Sequence, residues 1–124
     1  MGPAARDRGQ AAVETALVLP LIMAVVLALV QVGLLVRDHV LVVHAAREAA
    51  RAAAVTPTTE AASAAALAAT NLDPDRLVVE TEGSRTTGGL LQVTVRFRPK
   101  PSVPFVGRLF PAVTIQEALT VRVE

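Results

Sequence analysis

The sequence predicts an α+β fold with a long N-terminal transmembrane helix, a short Ala-rich second helix and a small, mostly antiparallel three-stranded sheet. Two observations predict the helices: Thr15–Val36 holds 22 residues without a charge, and Ala-rich sequence continues beyond it. A helix needs about 20 apolar residues to cross the hydrocarbon core of a bilayer. A third observation predicts the sheet, since apolar and polar residues alternate in the last third of the chain.

Changes in composition divide the chain into segments. We expect a hydrophilic leader at 1–9, a transmembrane helix at 10–36, its extracytoplasmic continuation at 37–55 and a small extracytoplasmic α+β domain at 56–124. Pro3 and Gly9 should break regular structure in the leader, so the helix should run from about Gln10 to Ala54. The last segment is near the lower size limit for an independent core, and the chain has no cysteine for a disulfide.

Two prolines shape the predicted helices. Pro20 lies inside the transmembrane segment, where its missing N–H and its ring predict a kink. Pro57 is expected at the first position of the second helix, which Thr56 would cap and which would end near Thr70. Above the membrane, small Ala side chains on the long helix permit close approach of a partner helix.

The predicted strands are Leu77–Glu82, Leu91–Phe97 and Val113–Val123, and the first two should form a hairpin. Glu117 falls on the apolar face of the last strand. This misfit predicts either a bulge near Glu117 or an edge position from which its carboxylate reaches water.

Prolines exclude regular structure between the last two strands. Pro99, Pro101, Pro104 and Pro111 all lie in this connection. Residues 99–111 should therefore form a loop, anchored by its two aromatic residues, Phe105 and Phe110.

Glu14 stands out in the N-terminal part, because it is the only charged residue between Arg8 and Arg37. An ionisable group at the edge of a membrane span is costly and indicates a functional role. A peptidase that cuts after Gly9 would expose the α-amine of Gln10, which could pair with Glu14 of a neighbouring subunit. In the alternative interpretation, Gly9 ends a disordered tail and Glu14 reaches the lipid headgroups.

Two segments carry a resemblance to a known family. They are the stretch from Arg8 to Leu21, RGQAAVETALVLPL, and the block from Ala45 to Ala52, AAREAARA. Together they resemble the N-terminal part of TadE-like minor pilins or pseudopilins of the tight-adherence (Flp) pilus system. One difference is Thr15, since pilins of this system commonly have an aromatic residue directly after the Glu.

The resemblance implies a pilin-like fold and cleavage after Gly9 by a prepilin peptidase, with Gln10 as the new N-terminus and Glu14 acting in assembly. It implies as partners a major pilin and other pilin subunits, a pilus ATPase and inner-membrane platform proteins. Major pilins of this system are little more than the helix, so the additional domain indicates a minor subunit. Arg6 and Arg8 favour a cytoplasmic N-terminus, which places the C-terminal domain outside the cell membrane or in a pilus.

The sequence contains no recognisable motif for catalysis, cofactor binding or metal binding. His39 and His44 are five residues apart and point in different directions on a helix, so they would not share a metal ion. Twelve basic residues nearly balance eleven acidic ones, and no basic cluster with aromatics suggests a nucleic-acid partner. We expect no enzyme activity and no small-molecule substrate.

A second class of function stays open, namely an uncleaved single-pass membrane protein that displays its sheet to bind another envelope protein. The two classes differ at Glu14, which is incidental in the second class and required for assembly in the first. An enzyme with an unrecognised active site is a distant third.

Overall fold

The computed structural model describes residues 3–105 and 108–124, with side chains described from Asp7 onward. The elements in chain order are helix α1 (Pro3–Val55), helix α2 (Thr59–Ala69), a 3-10 turn (Pro74–Arg76) and strands β1 (Leu77–Gly83), β2 (Leu90–Phe97) and β3 (Ile115–Arg122). The predicted α+β class is confirmed by the long apolar N-terminal helix, the short second helix and the three-stranded antiparallel sheet.

Helix α1 is a single helix of 53 residues, which corresponds to a length of about 80 Å. The first residue described in it is Pro3, and a proline in the first turn of a helix gives up no intrahelical hydrogen bond. It ends at Val55, two residues before Pro57, which disfavours helical geometry in the residue that precedes it. The predicted break at Pro3 and Gly9 is wrong, since the helix continues through Gly9 at a cost of about 1 kcal/mol.

Helix α2 begins two residues later than predicted. Its N-cap is Thr58, whose hydroxyl accepts a hydrogen bond from the Ala61 N–H at 3.2 Å. The predicted cap at Thr56 is wrong, because α2 starts at Thr59 and Thr58 is its N-cap. Thr56 instead accepts a hydrogen bond at its carbonyl oxygen from the Thr58 N–H at 2.7 Å. This tight turn leaves Pro57 in the connection between the two helices.

The sheet has the order β1–β2–β3, and both strand pairs are antiparallel. The odd-numbered residues from Leu91 to Phe97 are buried on one face, as their alternation predicted. Gly83 ends β1 with a φ of 124°, and a Cβ there would lie 2.5 Å from the Leu90 carbonyl oxygen. The hairpin therefore requires glycine at this position.

Glu117 lies on the inner face of β3, opposite Val95. The register between β2 and β3 is continuous over eight residue pairs, so the bulge alternative is wrong. The edge alternative agrees with the structure, because β3 is an outer strand of the sheet and Glu117 is half-buried. Its carboxylate can reach water past the unpaired side of β3.

The core lies between the sheet, α2 and the upper half of α1. The two helices contribute mostly alanines, which let their backbones and the sheet approach closely. The inward side chains of β2 cover this surface, and Ile115 of β3 and Val123, the residue after β3, complete it. The buried apolar helix residues are Val42, Ala45, Ala46, Ala49, Ala50, Ala53, Ala62 and Ala66.

The lower half of α1 is largely uncovered. Side chains from Asp7 to Val26 are exposed, as are Leu29 and Val30, whereas Gln31 is buried. In the part of the chain that the structure describes, α1 is the one helix long and apolar enough to cross a membrane. A helix that exposes aliphatic side chains over this length is suited to contact with lipid or with other helices.

The loop between β2 and β3 packs differently from the prediction. Val103 is buried, whereas Phe105 is 85% exposed, so Phe105 is wrongly predicted as an anchor. Its φ of 66° is a turn conformation that leaves the side chain in solvent. Phe110 is half-buried and lines a groove together with Gln31 of α1.

Candidate functional site

The residues predicted for processing and assembly lie close together near the start of α1. Gly9, Gln10 and Glu14 are all exposed. A Cβ at Gly9 would meet no atom within 4 Å. Packing within the chain therefore gives no reason for a glycine here, although glycine weakens a helix by about 1 kcal/mol relative to alanine.

The structure brings the side chains of Gln10 and Glu14 together on successive turns. Gln10 Nε2 donates a hydrogen bond to Glu14 Oε1 at 3.2 Å. Among the described residues, no other side chain bonds to the Glu14 carboxylate. Its oxygens can therefore accept further hydrogen bonds from outside the chain, for example from an ammonium group.

Thr15 satisfies its own hydroxyl within the helix. Its Oγ1 donates to the Ala11 carbonyl oxygen at 2.8 Å. This bond removes most of the cost of placing a hydroxyl at the start of an apolar segment. Thr15 is thus compatible with a lipid-facing position.

An apolar face of α1 begins beside Glu14. Thr15, Val18, Leu19 and Ile22 form a shallow groove there, and their spacing by three and four residues places them on one side of the helix. Pro20 lies inside α1 and cannot donate to the carbonyl oxygen one turn below. The kink expected at Pro20 stays a prediction.

Gln31 is a buried polar residue that the sequence analysis did not place in a site. It is 5% exposed, and its Oε1 has no hydrogen-bond partner among the described residues. An unpaired buried polar group costs about 1–3 kcal/mol. The signal that marks Gln31 in the sequence is an amide within an otherwise aliphatic run.

Polar side chains elsewhere stabilise the fold. Arg96 of β2 pairs with Glu80 of β1 at 3.2 Å, and its Nε donates to Gln116 of β3 at 3.0 Å, so it links all three strands. His39 and His44 are exposed on α1. Within residues 3–105 and 108–124, no group of three or more His, Asp or Glu side chains could hold a metal ion.

One membrane-length helix with a small α+β domain packed on its upper half fits a single-pass membrane protein. Residues 9–51 match the family model described as TadE-like protein, which confirms the resemblance seen in the sequence. The match supports a protein associated with the Tad pilus, whose TadE-like components are structural proteins. No curated protein and no solved structure matches the chain.

Proposed function

We propose that the chain is a minor pilin or pseudopilin that is cleaved after Gly9 by a prepilin peptidase. The mature subunit joins or primes a tight-adherence pilus or a related secretion apparatus. Its N-terminus is cytoplasmic and its C-terminal domain is extracytoplasmic. Its partners are the peptidase, other pilin subunits and the assembly platform, and its role is structural, without a catalytic step.

One observation carries the proposal: an unpacked Gly9 and an exposed Glu14 lie at the start of an apolar helix, inside the segment that is TadE-like. A glycine without neighbours leaves the backbone accessible to a peptidase and lowers the cost of unwinding the helix for cleavage. After cleavage, the Gln10 ammonium of one subunit pairs with Glu14 of the next. The pairing reduces the cost of holding either charge beside lipid.

The exposed face next to Glu14 supports the same assembly. The groove at Thr15, Val18, Leu19 and Ile22 has the spacing that a neighbouring helix needs for packing. Glu14 lies at the lower end of this face, so a charge pair there would fix the axial position of one helix against the next.

The mature N-terminus of protein isolated from its native host tests the processing step. Intact mass and N-terminal sequencing should show a chain that begins at Gln10, and Gly9→Leu should abolish this shortened form. Gly33→Leu is the matched control, because a Cβ at Gly33 also has no neighbour within 4 Å. A mature chain that still begins at Met1 or Gly2 would contradict the proposal.

Glu14→Gln tests assembly separately from processing. The variant keeps the size of the side chain and loses its charge, so it should be cleaved and inserted normally but be lost from the pilus fraction. Glu82→Gln removes an exposed carboxylate from β1 and should assemble as the native chain does. Normal incorporation of Glu14→Gln would instead favour an uncleaved or charge-independent membrane protein that displays its sheet.

A further inference from the structure

The groove at Gln31 marks the boundary between the covered and the uncovered halves of α1. Phe110, Pro111 and Val113 of the β2–β3 loop line this groove together with Gln31 and Leu35. The loop thus packs onto a part of α1 that the sequence assigns to the membrane-length apolar run. It also shields the Gln31 amide from the surroundings of the helix.

The length of the uncovered helix is sufficient to cross a bilayer with this boundary at the membrane surface. Residues 11–30 lie below Gln31 and are exposed or half-exposed. Twenty residues of helix span about 30 Å, which equals the thickness of the hydrocarbon core. With residues 11–30 in the core, the groove and its loop lie at the level of the lipid headgroups.

Three cations line the same groove, namely Arg76, Arg98 and Lys100. Arg76 Nη1 donates to the Arg98 carbonyl oxygen at 3.3 Å, and the Arg98 N–H donates to the Arg76 carbonyl oxygen at 3.2 Å. These two bonds hold the first two residues side by side. The groove thus concentrates positive charge next to the lipid-facing helix.

Nearby carboxylates neutralise only part of this charge. Asp73 Oδ2 lies 3.8 Å from Arg76 Nε, and Asp75 borders the adjoining surface near Arg76 and Arg98. No carboxylate oxygen of the described residues lies within 4.0 Å of the charged nitrogens of Arg98 or Lys100. Both cations are exposed and are available to an anion from outside the chain.

The loop also presents large apolar side chains. Phe105 is 85% exposed and Leu109 is 83% exposed, and Arg108 lies beside them in the sequence. Protein segments that bind the membrane interface combine aromatic and aliphatic side chains with Arg and Lys. The apolar side chains enter the acyl boundary, and the cations lie at the phosphates.

We propose that Arg76, Arg98 and Lys100 bind the phosphate of an anionic phospholipid, while Phe105 and Leu109 enter the acyl boundary. The β2–β3 loop is then a second membrane contact, which orients the small domain relative to the bilayer. The proposal rests on membrane insertion of α1 and is independent of cleavage and of pilus assembly.

Tryptophan fluorescence tests the depth of the loop, because the chain has no Trp of its own. Phe105→Trp in the full chain, reconstituted in phospholipid nanodiscs, should emit at shorter wavelength and be quenched by brominated acyl chains. Arg85→Trp, in the hairpin at the opposite end of the sheet, should do neither. Equal, water-like emission from both variants would overturn the proposal. Blue-shifted emission from Phe105→Trp that brominated lipid does not quench would also overturn it, because it would indicate that protein covers the side chain.

Lipid selectivity tests the cations without relying on the tryptophan variants. Spin-labelled phosphatidylglycerol should associate with the native chain more strongly than spin-labelled phosphatidylcholine. Each cation near an anionic surface contributes about fivefold, so Arg98→Gln with Lys100→Gln should lower this preference by up to roughly 25-fold. The matched pair Arg85→Gln with Arg122→Gln should leave it unchanged. Equal losses in the two double variants, or none in either, would overturn the phosphate site.

Discussion

Asp38 shows how the fold changes the chemistry of a single side chain. It lines a cleft of the small domain together with Arg37, Leu72 and Phe97, just above the apolar part of α1. Burial raises the pKa of the Asp38 carboxyl above its usual value, and the Arg37 cation offsets part of this rise. The fold therefore disfavours the ionised carboxylate.

Removal of this charge should change the pH dependence of stability. Because the pKa of Asp38 is higher in the folded chain than in the unfolded chain, the free energy of unfolding falls as pH rises from the unfolded pKa through the folded pKa. Asp38→Asn should abolish this fall and raise stability at neutral pH. Thermal unfolding followed by circular dichroism across the acidic to neutral range measures both effects. Asp75→Asn is the exposed control, and an unchanged pH profile in Asp38→Asn would contradict the argument.

At the scale of elements, the contact between α1 and α2 depends on the small size of alanine. Ala62 and Ala66 of α2 have no exposed surface and face the buried alanines of α1. Such an interface has no space for additional methylene groups. The Ala-rich composition of both helices is therefore a packing requirement as well as a helix-forming preference.

A larger residue at the α1–α2 interface should destabilise the domain. Ala66→Leu should lower the free energy of unfolding by about 1–3 kcal/mol, because it overpacks a filled site. Ala64→Leu is the matched control, since Ala64 is exposed on the same helix and leucine forms helix nearly as well. Chemical denaturation of the detergent-solubilised chain gives both values. Equal stability of the two variants would show that the interface tolerates expansion.

Local patterns predicted the elements well, because alternation along β2 and the uncharged run of α1 are properties of neighbouring residues. The N-cap of α2 is wrongly predicted at Thr56, because Thr56 and Thr58, on either side of Pro57, fit the same signal. Phe105 is wrongly predicted as an anchor, since its exposure depends on a turn that its residue type does not reveal. Gly9 and Glu14 are candidates because they stand out in the sequence, whereas the groove at Gln31 forms only when the distant loop packs on α1.

At the scale of the whole molecule, α1 belongs to two environments. Its upper half shares one hydrophobic core with α2 and the sheet, and its lower half is uncovered. The upper half, α2 and the sheet should unfold together, because no part of this small core is independent of the others. The lower half should keep its helical hydrogen bonds in lipid, where they have no competing water.

Hydrogen exchange in nanodiscs tests this division. Leu91 is fully buried in the core, so Leu91→Ala should lower protection by about 2–5 kcal/mol in the sheet, in α2 and in the upper part of α1 alike. Protection of residues below Gln31 should not change. Gln92→Ala, on the exposed face of the same strand, is the control. Selective loss in the sheet, with α1 unaffected, would show that the upper helix is stable by itself.

The continuity of α1 from Pro3 to Val55 also has a mechanical consequence. Above Pro20 the helix has no proline to interrupt its hydrogen bonds, so torque or axial pull applied to its lower half is transmitted to the domain. A screw step of one residue moves a helix by about 1.5 Å and turns it by about 100°. A machine that extracts this helix from the bilayer by such steps would rotate the sheet around the axis by the same angle.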